Sequence, residues 1–205
     1  MERTKRFWKT WELALLIALC LSCLSGVWAQ AAQREIAGQM VRLHVLAVDD
    51  SPEEQAVKLR VRDAVLAYLA PELEGVQEKT EAMERLTACQ NGIRQAAETA
   101  AEGRPVTVTL SEEYYPTRVY DGFSLPAGRY TSLRVVLGQG EGQNWWCVVY
   151  PPLCITAAQA SAQAIETLSA DTARIITEED GYEIRFKILE FWGELTEKLD
   201  AGRAN

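Results

Sequence analysis

The sequence predicts an α+β domain, in which a mainly antiparallel sheet of about four strands carries two helices on one face. Two helical segments stand between the first and second predicted strands, and three strands then follow through short connections. An amphipathic helix is expected beyond the sheet. The predicted organisation is an export segment at 1–29, the α+β domain at 40–155, a linker or weak helix at 156–180, and the amphipathic helix with a tail at 181–205.

The first predicted strand is Val41 to Ala47, where apolar and polar residues alternate as they do in a half-buried strand. A helix then begins at Ser51 and Pro52. Ser51 followed by Glu54 forms a capping box, and proline is favoured at the first helical position. This helix is expected to continue to about Leu69, with an apolar stripe that gives it one buried face. The stripe consists of Val57, Val61, Val65 and Leu69, widened by Ala56, Leu59 and Leu66.

A second helix is expected from Glu81 to Ala101, and three strands follow it. Alternation predicts strands at Val106 to Leu110 and at Arg129 to Leu137. A glycine-rich loop then leads to a fourth strand, Trp145 to Tyr150. Both faces of that strand are apolar, so it is predicted to lie inside the sheet with both sides covered.

The first thirty residues have the composition of an export signal. A basic start precedes an almost unbroken apolar run from Leu13 to Val27. This run has about 15 residues, whereas a helix that spans a bilayer needs roughly 20. Small residues at Ala29 and Ala31 fit the spacing of a cleavage site. A cleaved export signal is therefore favoured, and a retained membrane anchor is the alternative.

The exported part is acidic. The whole chain carries a net charge of −8 from 21 basic and 29 acidic residues. Loss of residues 1–29 removes four basic and two acidic ones, which leaves about −10. Such a protein is repelled by nucleic acid and by anionic lipid, so neither is expected as a partner. Membrane contact is expected only through the N-terminal segment and the C-terminal helix, whose stripe either folds onto the sheet or meets a partner or membrane surface.

Three cysteines remain in the exported part. Cys147 and Cys154 flank Pro151 and Pro152, and a disulfide between them is permissible outside the cytoplasm. Two buried free thiols that pack as small apolar groups are the alternative, and the sequence leaves both open. Cys89 is expected in the core of a helix.

One face of the predicted sheet is too polar for a core and too aromatic for bare solvent. Arg42, His44 and Arg134 share it with a row of aromatic side chains. A partner, or another part of the chain, is expected to cover this face. The candidate partner-binding residues are Arg42, His44, Asp50, Arg62, Asp63, Arg134, Trp145 and Trp146.

Little in the sequence supports catalysis. It contains one histidine, His44, and none of the GxSxG, HExxH, P-loop or dinucleotide-binding motifs. A secreted hydrolase would have to pair His44 with the Asp49–Ser51 turn or with a cysteine, but Ser51 is better explained as a helix cap. Scattered acids and a single histidine form no metal-ligand cluster. We therefore predict neither enzyme activity nor a cofactor, and an envelope-anchored structural protein is a further alternative.

Three segments resemble the stage II sporulation protein R family. They are HVLAVDDSPEEQAVKLRVRDAVL at His44–Leu66, LPAGRYTSLRVVLGQGEGQNWWCVVYPPLC at Leu125–Cys154, and RFKILEFW at Arg185–Trp192. The resemblance implies a protein made in the forespore and exported into the space between the two cell membranes. It further implies that the chain activates a membrane-embedded aspartic protease, by binding to its extracytoplasmic part, and that this protease then processes the precursor of the mother-cell sigma factor. The resemblance implies signalling by recognition, without catalysis or a cofactor.

Overall fold

The computed structural model describes residues 2–120, 123–152 and 172. The linker predicted at 156–180, apart from Thr172, and the C-terminal helix predicted at 181–205 lie outside these residues and stay predictions. In chain order the elements are α1 (Glu2–Gly38), β1 (Val41–Leu46), α2 (Pro52–Glu72), α3 (Lys79–Ala88), α4 (Gln90–Ala100), β2 (Val106–Tyr115), β3 (Arg118–Tyr120), β4 (Phe123–Leu125), β5 (Gly128–Leu137) and β6 (Asn144–Tyr150).

Four of the strands form one mixed sheet in the order β2-β5-β1-β6. The central strands β1 and β5 are parallel, whereas β1–β6 and β2–β5 are antiparallel. The α+β class and the four-stranded sheet are confirmed. The inside position predicted for Trp145–Tyr150 is not seen in the described part of the chain, where β6 forms an edge of the sheet. Apolar residues on both faces of a strand require cover above and below it, and an edge strand can have such cover too.

The helices that follow β1 form the larger core against one face of the sheet. Ser51 caps α2 as predicted, since the Glu54 amide donates to Ser51 Oγ at 3.3 Å. The reciprocal half of the capping box is replaced, because the Ser51 amide donates to Asp49 Oδ1 and the Glu54 carboxylate pairs with Arg104. The stripe predicted on α2 is buried, but Leu59, which was expected to widen it, is 39% exposed. The second predicted helix is in fact two helices, α3 and α4, which meet at Cys89. Residues of all three helices pack with the apolar side chains of β1, β5 and β6.

The end of α1 belongs to the folded domain. Ile36 and Met40 are buried in a second cluster, on the sheet face opposite the three helices. Gln33 Nε2 donates to the Arg129 carbonyl at 3.3 Å, and Lys79 Nζ donates to the Ala37 carbonyl at 2.7 Å. Both candidate cleavage positions precede this buried segment, so cleavage at either of them would leave the segment in the domain.

The upstream part of α1 has a different character. Its large apolar side chains from Trp11 to Trp28 are at least half exposed. By length and composition alone, the helix from Trp11 to Gly38 could cross a membrane, and an N-terminal signal sequence would have the same properties. The exposed stretch and the buried end belong to one helix. A retained anchor would therefore lead directly into the domain.

A set of hydrogen bonds, which we call the loop clasp, joins the β5–β6 loop to the turn before α2. The Gly142 amide donates to the Ala47 carbonyl at 3.1 Å, and the Gln143 amide donates to Asp50 Oδ1 at 2.7 Å. Lys58 of α2 donates to the Gln143 carbonyl at 2.9 Å. Burial lowers the pKa of Lys58, whose side chain is held inside this junction. The two longest segments that carry the family resemblance are therefore bonded to one another.

The buried end of α1 makes a stability prediction possible. Ile36→Ala should lower the free energy of unfolding by about 2–5 kcal/mol, because it removes buried methyl groups and leaves a cavity. Glu35→Ala, an exposed neighbour on the same helix, is the control and should change it by no more than about 0.5 kcal/mol. Urea unfolding of the purified protein measures both, and equal effects would show that the end of α1 is not part of the core.

The loop clasp leaves no room for a side chain at Gly142. A Cβ atom there would lie 2.2 Å from the Asp49 carbonyl oxygen, which is backbone and cannot move aside cheaply. Gly142→Ala should therefore destabilise the fold by about 1–3 kcal/mol. Gly38→Ala is the matched control, since its Cβ would meet nothing within 4 Å. Thermal melts measure both proteins, and an equal change in melting temperature for the two substitutions would contradict the clasp.

Candidate functional site

The sheet face opposite α2, α3 and α4, which we call the polar face, brings several of the candidate residues together. On it β1 places Arg42 and His44, β5 places Arg134, and β6 places Trp146. The strand register sets His44 beside Arg134 on one side and beside Trp146 on the other. The His44 and Trp146 rings lie 5.6 Å apart between centroids. Four of the eight candidate residues therefore share one surface.

Glu113 of β2 lies at the centre of a hydrogen-bonded cluster on the polar face. His44 Nδ1 lies 3.1 Å from Glu113 Oε2, and Ser132 Oγ donates to the same oxygen at 2.6 Å. Arg134 Nε lies 3.2 Å from Glu113 Oε1. Burial acts to raise the pKa of Glu113, but the hydrogen bonds from His44 and Ser132, with the charges of His44 and Arg134, outweigh it and leave this pKa below its ordinary value. We call these four residues the Glu113 cluster.

The geometry around His44 does not support the hydrolase alternative. The ring nitrogens contact Glu113 and, at 2.7 Å, Asn144 Oδ1. The Asp49–Ser51 turn, which the hydrolase alternative required, is engaged in capping α2 and in the loop clasp. Ser132 is fully buried, and its hydroxyl donates to Glu113. The described residues therefore provide no accessible hydroxyl nucleophile beside this histidine.

Arg42 is enclosed completely on the polar face. Its guanidinium carbon lies 4.0 Å from the ring centroid of Tyr115 and 5.0 Å from that of Tyr130. Nη2 donates to the hydroxyl of Tyr120 at 2.7 Å. Burial raises the pKa of the Tyr115 and Tyr130 hydroxyls, which therefore stay neutral. We call Tyr115, Tyr120 and Tyr130 the tyrosine box, and it places neutral aromatic groups around a positive charge.

The remaining candidates lie elsewhere. Trp145 packs with the helix-side core, and the Arg62 guanidinium lies 4.9 Å above its ring. Asp63 pairs with Arg62 at 2.7 Å on α2, and Asp50 belongs to the loop clasp. The sheet thus separates Trp145 from Trp146. The guanidinium carbon of Arg118, on β3, lies 4.0 Å from the centroid of the Trp146 ring. The predicted set does not form a single site.

Several residues of the polar face were missed by the sequence analysis. Glu113 and Tyr115 lie on β2, which continues to Tyr115, five residues beyond Leu110, where the predicted strand stopped. The alternation of apolar and polar residues ends at Leu110, so periodicity gave no signal for either. The β3–β4 pair was not predicted either, although Asp121-Gly122 is a dipeptide favoured in hairpin turns.

The described residues leave both the cofactor and the disulfide predictions untested. Among residues 2–120, 123–152 and 172, no group of three or more His, Cys, Asp or Glu side chains is placed to hold a metal ion. Cys147 is buried in β6. Cys154 lies outside the described residues, so the predicted pairing with Cys147 stays a prediction.

The Glu113 cluster predicts a pH dependence of stability. Because the pKa of Glu113 is lowered in the folded state, the unfolded chain takes up a proton first as the pH falls below the ordinary value near 4.5. The stabilisation is therefore present at neutral pH and is lost as the pH falls through the folded pKa. Glu113→Gln should lower stability at pH 7 and flatten the acid limb of the stability curve. Exposed Glu112→Gln is the control. The measurement is the free energy of unfolding as a function of pH, and the same acid-side slope for all three proteins would contradict the cluster.

Comparison with known proteins identifies the family. The family model for stage II sporulation protein R matches residues 37–160, which is more than half of the chain and includes the six strands of its described part. The chain is also 27% identical over 185 residues to the stage II sporulation protein R of Bacillus subtilis (strain 168), and the match covers 78% of this chain and 83% of that protein. No solved structure matches the chain. The chain belongs to the stage II sporulation protein R family.

Proposed function

We propose that this protein is an exported sporulation signal that activates a membrane-embedded aspartic protease by binding its extracytoplasmic part. The protease then cleaves the precursor of the mother-cell sigma factor. Membership of a sporulation family supports the biological setting of this proposal. The partner and its reaction are those that the family resemblance implies.

The N-terminal helix supports export. Its exposed apolar stretch is compatible with a signal sequence, and the folded domain begins only with the buried end of that helix. A cleaved signal would release the domain into the intermembrane space. A retained helix would instead hold the same domain at the membrane surface, where the protease also lies.

The polar face is the observation that carries the recognition proposal. Trp146 is only partly buried and lies between His44 and Arg118, with the Tyr115 ring 6.2 Å away between centroids and Arg134 on the far side of His44. Tryptophan, tyrosine and arginine are the residues that contribute most binding energy at protein interfaces. Such side chains combine a large apolar area with a polar group that can pair across the interface. We assign partner binding to this face.

Activation by binding alone sets a thermodynamic requirement. A ligand shifts an equilibrium only by the difference between its affinities for the two states. The exported domain must therefore bind the active arrangement of the protease more tightly than the resting one. In the described residues His44 is engaged by Glu113 and Asn144, which agrees with a role in holding the surface together.

Reconstitution in non-sporulating cells tests the proposal. The full chain is produced together with the protease and the sigma-factor precursor, and immunoblotting follows precursor cleavage. We expect cleavage with the wild-type chain and its loss with Trp146→Ala at an equal protein level, because the substitution removes an interface anchor worth roughly 2 kcal/mol or more.

Leu59→Ala is the matched control, since it removes an exposed apolar side chain from α2, away from the polar face. It should leave cleavage unchanged. Absence of cleavage with the wild-type chain would rule out the proposed function. Full cleavage with Trp146→Ala would instead remove the polar face from it.

A further inference from the structure

Arg42 is a buried cation for which the described residues provide no anion. Its side chain is 0% exposed, and of its guanidinium nitrogens only Nη2 has a hydrogen-bond acceptor, the Tyr120 hydroxyl. Nε and Nη1 have none. Buried charges in proteins are ordinarily paired with an opposite charge, because an unpaired one loses its hydration without compensation. This arrangement therefore needs an explanation beyond packing.

The neighbours of Arg42 do not supply the missing charge. Its guanidinium lies over the rings of Tyr115 and Tyr130, whose π faces attract a cation but carry no net charge. Glu113 lies on the same face, but its oxygens are already occupied by His44, Ser132 and Arg134. The positive charge is thus held in place by aromatic rings while two of its hydrogen-bonding nitrogens stay available.

The cover over Arg42 is built from short strands. Strands β3 and β4 have three residues each and form a separate two-stranded sheet that shares no backbone ladder with the main one. Two-stranded ribbons of this kind are only marginally stable by themselves. Tyr120 stacks on Phe123 with 4.7 Å between ring centroids, and Val119 of the same ribbon is 75% exposed. Side chains attach the ribbon to the sheet: Leu125 is buried, Arg118 lies over the Trp146 ring, and the Tyr120 hydroxyl donates to the Trp146 carbonyl at 3.4 Å. The same hydroxyl joins the ribbon to Arg42.

We propose that Arg42 receives a carboxylate of the protein partner, and that the β3–β4 pair covers this site in the unbound state. The inference rests on the proposed function and adds the chemistry by which the partner is recognised. The fork of guanidinium N–H groups matches the two oxygens of a carboxylate. A neutral group would not supply the missing negative charge, and a basic group would repel Arg42. Arg42 is already desolvated and held between rings, so little further ordering opposes the pairing.

Charge complementarity favours an acidic group of the partner. Arg118 of β3 lies over the Trp146 ring on the same side of the sheet as Arg42 and adds a cation beside the site, whereas Arg134 of β5 is already paired with Glu113. An acidic side chain or a chain terminus of the partner would meet Arg118 first and Arg42 last. Displacement of Tyr120 by that carboxylate would couple binding to movement of the β3–β4 pair.

Arg42→Met tests the site directly. Methionine keeps an unbranched chain of similar reach but lacks the charge. The full-length chain in detergent is titrated with membrane vesicles that carry the full-length protease, and thermal melts are recorded in parallel. We expect a melting temperature equal to or above that of the wild type, because an unpaired buried charge is removed, and affinity for the vesicles lower by about tenfold or more.

Tyr120→Phe is the complementary variant, because it removes only the hydroxyl that holds Arg42 under the ribbon. We expect it to raise affinity for the vesicles about threefold or more, since the competing contact in the unbound state is lost. Val119→Ala alters the exposed surface of the same ribbon and serves as its control, with affinity unchanged.

Each outcome decides the inference. A folded Arg42→Met protein that binds as tightly as the wild type overturns the site and leaves the proposed function intact. If Arg42→Met does not fold, Tyr120→Phe decides, and unchanged or weaker binding by that variant overturns the site. If the wild-type chain neither binds the vesicles nor triggers precursor cleavage, the proposed function fails and the carboxylate site fails with it.

Discussion

The burial of Arg42 in the middle of the sheet is the constraint on which the other features of the polar face depend. The side chain points from central strand β1 into the cover formed by the tyrosine rings, and none of it is exposed. The protein surrounds the charge with the tyrosine box and closes the face with the end of α1 and the β3–β4 pair. The same arrangement places His44 and Trp146 at the boundary between the covered region and solvent. A stable core and a recognition surface therefore share one face of the sheet.

Sequence periodicity predicted most of the sheet and of α2 because those elements have one face in the larger core. Val57, Val61, Val65 and Leu69 are buried as expected, since a helix that packs on a sheet must place apolar residues at helical spacing. The position of β6 could not be predicted in this way. Periodicity reports which faces of a strand are covered, but it does not report which strands lie beside it.

The composition of the polar face was predictable, whereas its internal pairing was not. Arg42 and His44 were assigned to it from alternation alone, whereas alternation left open which of the two tryptophans shares it. The register places Trp146 there, beside His44. Glu113 was missed because the strand was ended too early, and the cover from α1 was missed because the N-terminal segment was interpreted only as a targeting signal. Contacts between residues far apart in the chain, such as His44 with Glu113 at a separation of 69 positions, leave little local signal. Trp145 and Trp146 illustrate the same difficulty, since adjacent residues of a strand point to opposite faces.

Signalling by contact requires that one surface of the exported domain meets the partner while the opposite surface maintains the fold. Hydrogen exchange of the full chain, with and without vesicles that carry the protease, tests this division most directly. The account predicts slower exchange on binding at the amides of β6 and a changed exchange rate in the β3–β4 pair, with α2 and α4 unchanged. Protection confined to α2 and α4, or no change in any part of the sheet, would contradict it.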